Sequence, residues 1–166
     1  DIGSGGLPSR YLTWFNSSNT ALNNSSENVF TAPVSFNIYR SNGTKIYFIH
    51  HDPEFNKCGP GKYEWESVSN SSAIDIETKG SLEFVGFSSI SVKLKATKNI
   101  SIADINLIIS LRKKFASYLM GLGLKGGIRP YSIRWKWDQM KHQEGAWIGG
   151  INGGAPVAIT AQPKLT

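Results

Sequence analysis

Short runs in which apolar and polar residues alternate recur along the chain, and this alternation is the pattern of half-buried β-strands. Two such runs are Val34–Tyr39 and Lys45–His50, with Asn42-Gly43 between them. Asn-Gly between alternating segments is typical of a β-hairpin turn, so we expect these strands to pair. A loop rich in Gly and Pro, Asp52–Lys62, then leads to another alternating segment at Tyr63–Glu66.

The middle of the chain has the clearest strand patterns. We predict strands at Ala73–Thr78, Ser81–Phe87 and Ile90–Thr97, with a turn at Lys79-Gly80 between the first two. In the third of these strands apolar residues alternate with lysine and threonine. One face of the resulting sheet is therefore expected to be buried and the other to be exposed to solvent.

The segment Asp104–Leu119 allows two interpretations. Apolar residues occupy every second position from Ile105 to Leu111, which predicts a strand, and Phe115–Leu119 either continues it or bends across a corner. A helix is the rival interpretation. The strict alternation and the β-branched residues favour the strand.

Glycines crowd the segment that follows, at positions 121, 123, 126 and 127 around Lys125. Their spacing does not match that of a phosphate-binding loop, so we interpret them as sharp sheet corners. Together these elements predict an all-β, two-sheet antiparallel β-sandwich, jelly-roll-like, over residues 31–154. An irregular N-terminal arm (1–30) precedes it and a C-terminal tail (155–166) follows.

Composition and charge narrow the class of protein. The 166 residues are 40% hydrophobic and 18% charged, which excludes a disordered chain and fits one domain. No run approaches the roughly 18 consecutive apolar residues of a spanning helix, so we expect no membrane span. The net charge of +6 comes from separate groups of Lys and Arg without a nucleic-acid motif. We therefore expect a solvated basic surface and no specific nucleic acid.

The chain contains six Asn-x-Ser/Thr acceptors, where its composition gives about two by chance. The acceptors that we expect to carry glycans are Asn16, Asn24, Asn42, Asn70 and Asn99; Asn23 is the sixth match. This excess favours a secreted or extracellular glycoprotein, although Asn and Ser also crowd together in turns. With Cys58 as the single cysteine, no internal disulfide holds the fold.

Several Gly and Trp motifs resemble a known family. They are Tyr118–Gly127, Trp135-Lys136-Trp137, Trp147–Gly154 and the upstream Leu82–Phe87. Together these segments resemble the N-terminal β-sandwich domain of glycoside hydrolase family 123 proteins, over roughly residues 45–154. The tail departs from the resemblance at Ala155-Pro156.

The resemblance implies a β-N-acetylgalactosaminidase-like context. Exo-acting enzymes of this kind use an adjacent Asp-Glu pair in a separate downstream barrel, with the substrate's own acetamido group as nucleophile. These 166 residues contain no Asp-Glu or Glu-Asp dipeptide, and we expect the barrel to be absent from this chain. The resemblance therefore assigns no catalytic residue here.

Other candidate constellations are weak. Glu64/Glu66 and Asp75/Glu77 each lie two residues apart, about 7 Å along one strand face, which is near the separation of glycosidase carboxylates. On a half-exposed strand such pairs are more often the solvent face. His50 and His51 are adjacent and point to opposite faces, which disfavours a metal chelate. We expect neither a metal nor a cofactor.

The aromatic residues give the best binding hypothesis. Trp135 and Trp137 share a strand face, and exposed indole rings stack on the apolar faces of pyranoses. The candidate carbohydrate-binding residues are Trp135, Trp137, Asp138, His142, Gln143, Glu144 and Trp147. The alternative is that these rings close the sandwich core.

We therefore expect a non-catalytic, carbohydrate-associated domain, either a glycosidase accessory module or a free-standing lectin-like protein. Its expected partners are glycans that contain N-acetylgalactosamine or galactose, and the sequence leaves the oligomeric state open. A fragment of an exo-acting β-N-acetylgalactosaminidase that lacks its barrel is one alternative. A basic secreted toxin or defence protein that acts through surface charge is another.

Overall fold

The computed structural model describes residues 1–15, 22–57, 59–132, 146–150 and 157–159. Almost all regular structure in these ranges is β-strand, and the strand registers are antiparallel. This confirms the predicted all-β antiparallel class and is consistent with a β-sandwich. In the part of the chain described, no helix is long and apolar enough to cross a bilayer.

Thirteen strands lie within the described residues. In chain order they are β1 (Leu12–Phe15), β2 (Leu22–Asn28), β3 (Phe30–Arg40), β4 (Ile49–His50), β5 (Glu54–Lys57), β6 (Lys62–Asn70), β7 (Ile74–Glu83), β8 (Ser88–Ala96), β9 (Ile102–Leu111), β10 (Tyr118–Gly121), β11 (Leu124–Ile128), β12 (Ala146–Gly149) and β13 (Val157–Ile159). One 3₁₀ turn, Lys113–Phe115, separates β9 from β10. The strand interpretation of Ile105 to Leu111 is thus confirmed, and the 3₁₀ turn shows that the strand does not continue through Phe115.

The described residues divide into two compact units. The first comprises 1–10 and 32–110, and the second comprises 11–31 and 111–166. Residues 1–30, which are predicted to form an irregular arm, contribute to both units. They contain β1 and β2. The predicted domain bounds at residues 30 and 154 stay predictions.

The first unit is built on a sheet in which β6 and β7 are central. Its strand order is β4-β6-β7-β8, and β5 also pairs with β6; β3 pairs with β9. One face of this sheet, the inner face, buries Ile74 and Ile76, which pack with Ile38, Ile46 and Ala73. The alternation of the sequence therefore places the core as predicted, since every second residue is buried from Trp65 to Ser69 of β6 and from Ile74 to Gly80 of β7.

The turn predicted at Lys79-Gly80 is wrong. β7 runs without interruption from Ile74 to Glu83, and Gly80 pairs with Trp65 in the middle of the sheet. Gly80 is required there because a Cβ at this position would lie 2.1 Å from the Trp65 indole. The loop predicted at Asp52–Lys62 similarly contains β5, which pairs with β6.

The turn predicted at Asn42-Gly43 is confirmed. Gly43 has a φ of +81°, and Tyr39 and Lys45 form an antiparallel bridge across the turn. Of the predicted strand Lys45–His50, only Ile49–His50 is regular strand. This segment, β4, pairs with β6.

The second unit contains a four-stranded sheet with the order β11-β10-β12-β13, and β1 pairs with β2. The β10–β11 connection is a tight hairpin in which Leu122 and Gly123 have φ values of 54° and 81°. Positive φ at both central residues is the geometry of a two-residue type I′ hairpin. The glycine-rich segment therefore forms a hairpin between two neighbouring strands, with Gly126 and Gly127 inside β11, where its spacing predicts sheet corners.

Candidate functional site

Trp147 is the predicted glycan-contacting residue that falls within the described residues. It lies in β12, where it is paired with Met120 of β10 on one side and Ala158 of β13 on the other. Trp135, Trp137, Asp138, His142, Gln143 and Glu144 lie outside the described residues. The predicted cluster is therefore represented by Trp147 and its strand neighbours.

The six-membered ring of the Trp147 indole lies close to the backbone of its own strand. A Cβ added at Gly149, two residues along, would come within 2.5 Å of Trp147 Cη2. Gly149 is buried by this contact, and Trp147 is half-buried. One side of the ring is thus packed on the strand, while part of its surface is in contact with solvent.

The side chains around Trp147 form a shallow apolar surface. Because directly paired residues of an antiparallel sheet point to the same side, Tyr118 and Met120 lie on the Trp147 side, and Ile128 lies there as the partner of Tyr118. Met120 and Ile128 are exposed. We call these four side chains, with Gly149 as the floor, the Trp147 face. It offers a flat ring at the centre and exposed apolar side chains around it.

The opposite side of the same sheet is structural. Leu119 is buried and is paired with Ile148, so the side chains that alternate with the Trp147 face supply the packing. The half-buried indole of Trp147 lies on the other side of the sheet and is therefore not needed to fill the layer that Leu119 packs. Such a ring is suited to contact a flat apolar ligand surface, and the apolar face of a pyranose is one.

Comparison with known proteins shows the family. The family model described as "Glycoside hydrolase 123, third domain" matches residues 1–163. The chain belongs to this family. The glycoside hydrolase 123 resemblance of the sequence is therefore confirmed, whereas the N-terminal position within those proteins is not, because the matching description is of a third domain. No match was found among curated proteins or among solved structures.

The paired carboxylates of this glycoside hydrolase 123 domain lie on the solvent-facing side of β6 and β7, which we call the outer face. Glu64 forms an ion pair with Lys62 at 2.8 Å, and Glu66 forms one with Lys79 at 2.6 Å. The hydrogen bond to Glu66, followed by its negative charge, raises the pKa of Lys79 above its usual 10.5. Asp75 and Glu77 are also engaged, with Asn70 Nδ2 at 3.0 Å and Lys93 at 3.7 Å.

A shallow groove of about 290 Å³ crosses the outer face beside these carboxylates. Small serines of β7 and β8, Ser81, Ser89 and Ser91, line it together with Glu64, Glu66 and Lys79. Glu66 is paired with Lys79 across β6 and β7, and Glu64 is paired with Lys62 of its own strand. The groove is therefore that of a solvated sheet face with surface ion pairs.

The two adjacent histidines point in different directions, as their spacing predicts. His50 Nδ1 lies 2.7 Å from the hydroxyl of the buried Ser69, whereas His51 Nε2 lies 3.0 Å from Asn70 Oδ1. Among the described residues, no group of three or more potential ligands could hold a metal ion. Cys58 lies outside the described residues.

The acceptor asparagines have different surroundings. Asn42 is exposed in the first hairpin turn, where its Oδ1 accepts hydrogen bonds from the backbone N–H and the hydroxyl of Thr44. Asn99 is exposed in the loop between β8 and β9. Asn70 instead uses Nδ2, the atom to which a glycan would be attached, as a donor to Asp75. Asn16 lies outside the described residues, and Asn24 lies in β2.

Two features of the surface were missed by sequence reasoning. Tyr118 and Met120 belong to a family motif, and their alternation in β10 also indicates one shared face. The second is the turn between β7 and β8, Phe84–Phe87, which was assigned to a strand. Three large apolar residues next to Gly86 could have been recognised there as an apolar turn.

Proposed function

We propose that this chain is a non-catalytic, carbohydrate-associated accessory domain of a glycoside hydrolase, and that it contacts glycans through the Trp147 face. Family membership supports the association with carbohydrate chemistry. We choose this surface because the indole of Trp147 lies against the backbone of Gly149 on a sheet face that is otherwise exposed.

The recognition expected from such a surface is weak and depends on several contacts. One aromatic stack contributes about 1 kcal/mol beyond the burial of area, and each hydrogen bond contributes about 1 kcal/mol net. After the cost of association, a single sugar is held with millimolar to micromolar affinity. We infer that glycans containing N-acetylgalactosamine or galactose are the ligands, and that tighter binding requires several sugar units.

The non-catalytic assignment is supported by the environment of the described carboxylates. Glu64 and Glu66 lie on an exposed face in ion pairs with lysines. A glycosidase needs one carboxylic acid that stays protonated and a second carboxylate across the scissile bond. The carboxylates of Glu64 and Glu66 are instead each engaged by a lysine on one sheet face.

The experiment that tests the proposal is a glycan-array screen followed by titration of the best glycan against variants of the Trp147 face. Trp147→Ala removes the stacking ring, and Met120→Lys places a charge beside it at an exposed position. Tyr131→Ala is the matched control, because Tyr131 is an exposed aromatic residue elsewhere in the chain. We expect the first two variants to lose at least tenfold in affinity and the control to bind normally.

Near-ultraviolet circular dichroism separates loss of binding from loss of fold. Trp147 also packs on Gly149, so the Ala variant is expected to lose some stability, whereas Met120→Lys is expected to keep the native spectrum. A natively folded Met120→Lys variant that binds as well as the parent chain would overturn the assignment of this face. Absence of binding to every glycan would overturn the carbohydrate association itself.

A further inference from the structure

The turn between β7 and β8 is apolar where hairpin turns are usually polar. Phe84 and Val85 occupy its tip and are 85% and 65% exposed, and Phe87, at the start of the return, is 62% exposed. Burial of such side chains stabilises a protein, so in this chain alone that stabilisation is not obtained. An exposed turn of this composition indicates an interaction surface that another protein domain or a membrane covers.

This apolar turn is held in one conformation by backbone hydrogen bonds. Glu83 N–H donates to the carbonyl of Phe87, and Gly86 N–H donates to that of Glu83, both at 2.9 Å. Gly86 has the positive φ of +85° that the turn needs. Phe84 N–H also donates to the carbonyl of Gly61 at 2.7 Å. The aromatic rings are therefore presented from a fixed backbone, which lowers the entropy lost when a partner binds.

The apolar surface continues from the turn onto the end of the sheet. Tyr63 and Leu82 are paired across β6 and β7 and are both exposed. Phe55 of β5 is exposed too, and its ring centre lies 6.3 Å from that of the buried Trp65. We call this set the apolar tip: Phe55, Tyr63, Leu82, Phe84, Val85 and Phe87. Aromatic anchors clustered on a rigid element are typical of the energetic centre of an interface.

We propose that the apolar tip docks against another domain of the glycoside hydrolase polypeptide to which this domain belongs, on an apolar surface of that domain. The proposal rests on the assignment of this chain as an accessory domain. The family description names a third domain, and a third domain implies neighbours within one polypeptide. Contacts between such domains bury surfaces of the size of transient protein interfaces, which suits a compact patch of six apolar side chains.

The charge beside the apolar tip favours an uncharged protein surface over an anionic membrane. Glu83 adjoins the turn and is exposed, and Lys62 at the start of β6 is paired with Glu64. Binding to anionic lipid depends on unpaired Lys and Arg close to the inserting side chains. Lys62 is therefore already engaged by a carboxylate, and the apolar side chains of the tip match a protein partner.

The test uses the full polypeptide that contains this domain, with a photo-crosslinking phenylalanine analogue in place of Phe84. Mass spectrometry of the irradiated protein is expected to show crosslinks to peptides of another domain of the same polypeptide. The same analogue in place of Tyr131 is the control and is expected not to give those crosslinks. Crosslinks to a second copy or to added lipid vesicles, or none at all, would overturn the proposal, as would a gene that encodes no further domain.

A double substitution gives a second, independent measurement. Phe84→Ser with Phe87→Ser is expected to lower the melting temperature of the full polypeptide and to leave that of the 166-residue chain unchanged, since both side chains are already exposed in the latter. A melting temperature of the full polypeptide that does not change would contradict the docking. Glycan binding is expected to survive this substitution, and crosslinking is expected to survive Trp147→Ala, so failure of one proposal is distinguishable from failure of the other.

Discussion

Gly80 lies directly beneath the indole of Trp65, its register partner on the neighbouring strand. A Cβ at Gly80 would approach Trp65 Cε2 and Cζ2 to 2.1 Å, and the ring itself is only 2% exposed. Trp65 Nε1 also donates a hydrogen bond to the carbonyl of Gly6 at 2.9 Å. Because Gly80 of β7 has no side chain, Trp65 of β6 can pack on the inner face. The hydrogen bond from Trp65 to Gly6 then holds the N-terminal segment against the sheet.

The first prediction concerns this contact. Gly80→Ala is expected to lower the free energy of unfolding by about 1–3 kcal/mol or more, because the new methyl group overpacks the buried ring. Gly127→Ala is the matched control: Gly127 is also in a strand, and nothing lies within 4 Å of its added Cβ. Urea unfolding is expected to show a lowered midpoint for the first variant alone. Equal midpoints for the two variants would contradict the contact.

The second prediction concerns the hydrogen bond of Trp65. Trp65→Phe removes the donor to Gly6 and shortens the buried ring, so we expect a loss of about 1–3 kcal/mol in stability. Hydrogen exchange at the amides of Gly5 and Gly6 is expected to accelerate, because the N-terminal segment loses its anchor. Unchanged exchange at both amides would show that Trp65 does not fasten this segment. The Gly80→Ala penalty is also expected to shrink in this background, since the two residues are in contact.

The third prediction concerns pH. The pKa of Lys79 is raised by the hydrogen bond and the charge of Glu66, so the stabilisation from this pair is present below about pH 10.5 and is lost as the pH rises through the folded-state pKa. NMR titration of the Lys79 ammonium is expected to show its pKa falling towards 10.5 in Glu66→Gln. Because the pair is exposed, stability at neutral pH is expected to be nearly unchanged. A Lys79 pKa that is insensitive to Glu66→Gln would exclude the pair in solution.

The fourth prediction concerns glycosylation, which follows from the proposal that the protein is secreted. Expressed through a eukaryotic secretory pathway, the chain is expected to carry glycans on Asn42 and Asn99, which are exposed in a turn and a loop. Asn42→Gln and Asn99→Gln are each expected to reduce the intact mass by one glycan. Enzymatic deglycosylation that leaves the mass of the parent chain unchanged would refute this prediction.

The fifth prediction concerns activity. The 166-residue chain is expected to release no sugar from aryl β-N-acetylgalactosaminide or β-N-acetylglucosaminide, because its described carboxylate pairs are exposed ion-paired groups. Chromogenic assays at high protein concentration measure this directly. Turnover that survives repurification and is abolished by Glu144→Gln or Asp138→Asn would show that the chain is an enzyme.

Much of the fold could be predicted because burial in a half-exposed sheet imposes a period of two on each strand separately. The alternation of Tyr63–Glu66 and Ile90–Thr97 therefore predicted β6 and β8. The alternation of Ile105 to Leu111 predicted β9 as well, although the side chains of β9 are exposed or half-buried and not alternately buried. The turn at Asn42-Gly43 was predictable for the same reason, since the requirement for a positive φ at Gly43 is local. The separation of the carboxylate pairs onto an exposed face also followed from alternation alone.

What the sequence determined by itself is thus the class of fold, the positions of most strands and the family motifs. Tertiary structure decided the remainder, because glycine gives the same local signal in a turn and under a packed ring. Only the folded sheets show that Gly80 accommodates Trp65 of the neighbouring strand, that Gly149 lies under Trp147 of its own strand, and that Phe84 stands at an exposed turn. These relationships join residues of different strands or depend on which face is covered, and no local pattern encodes them.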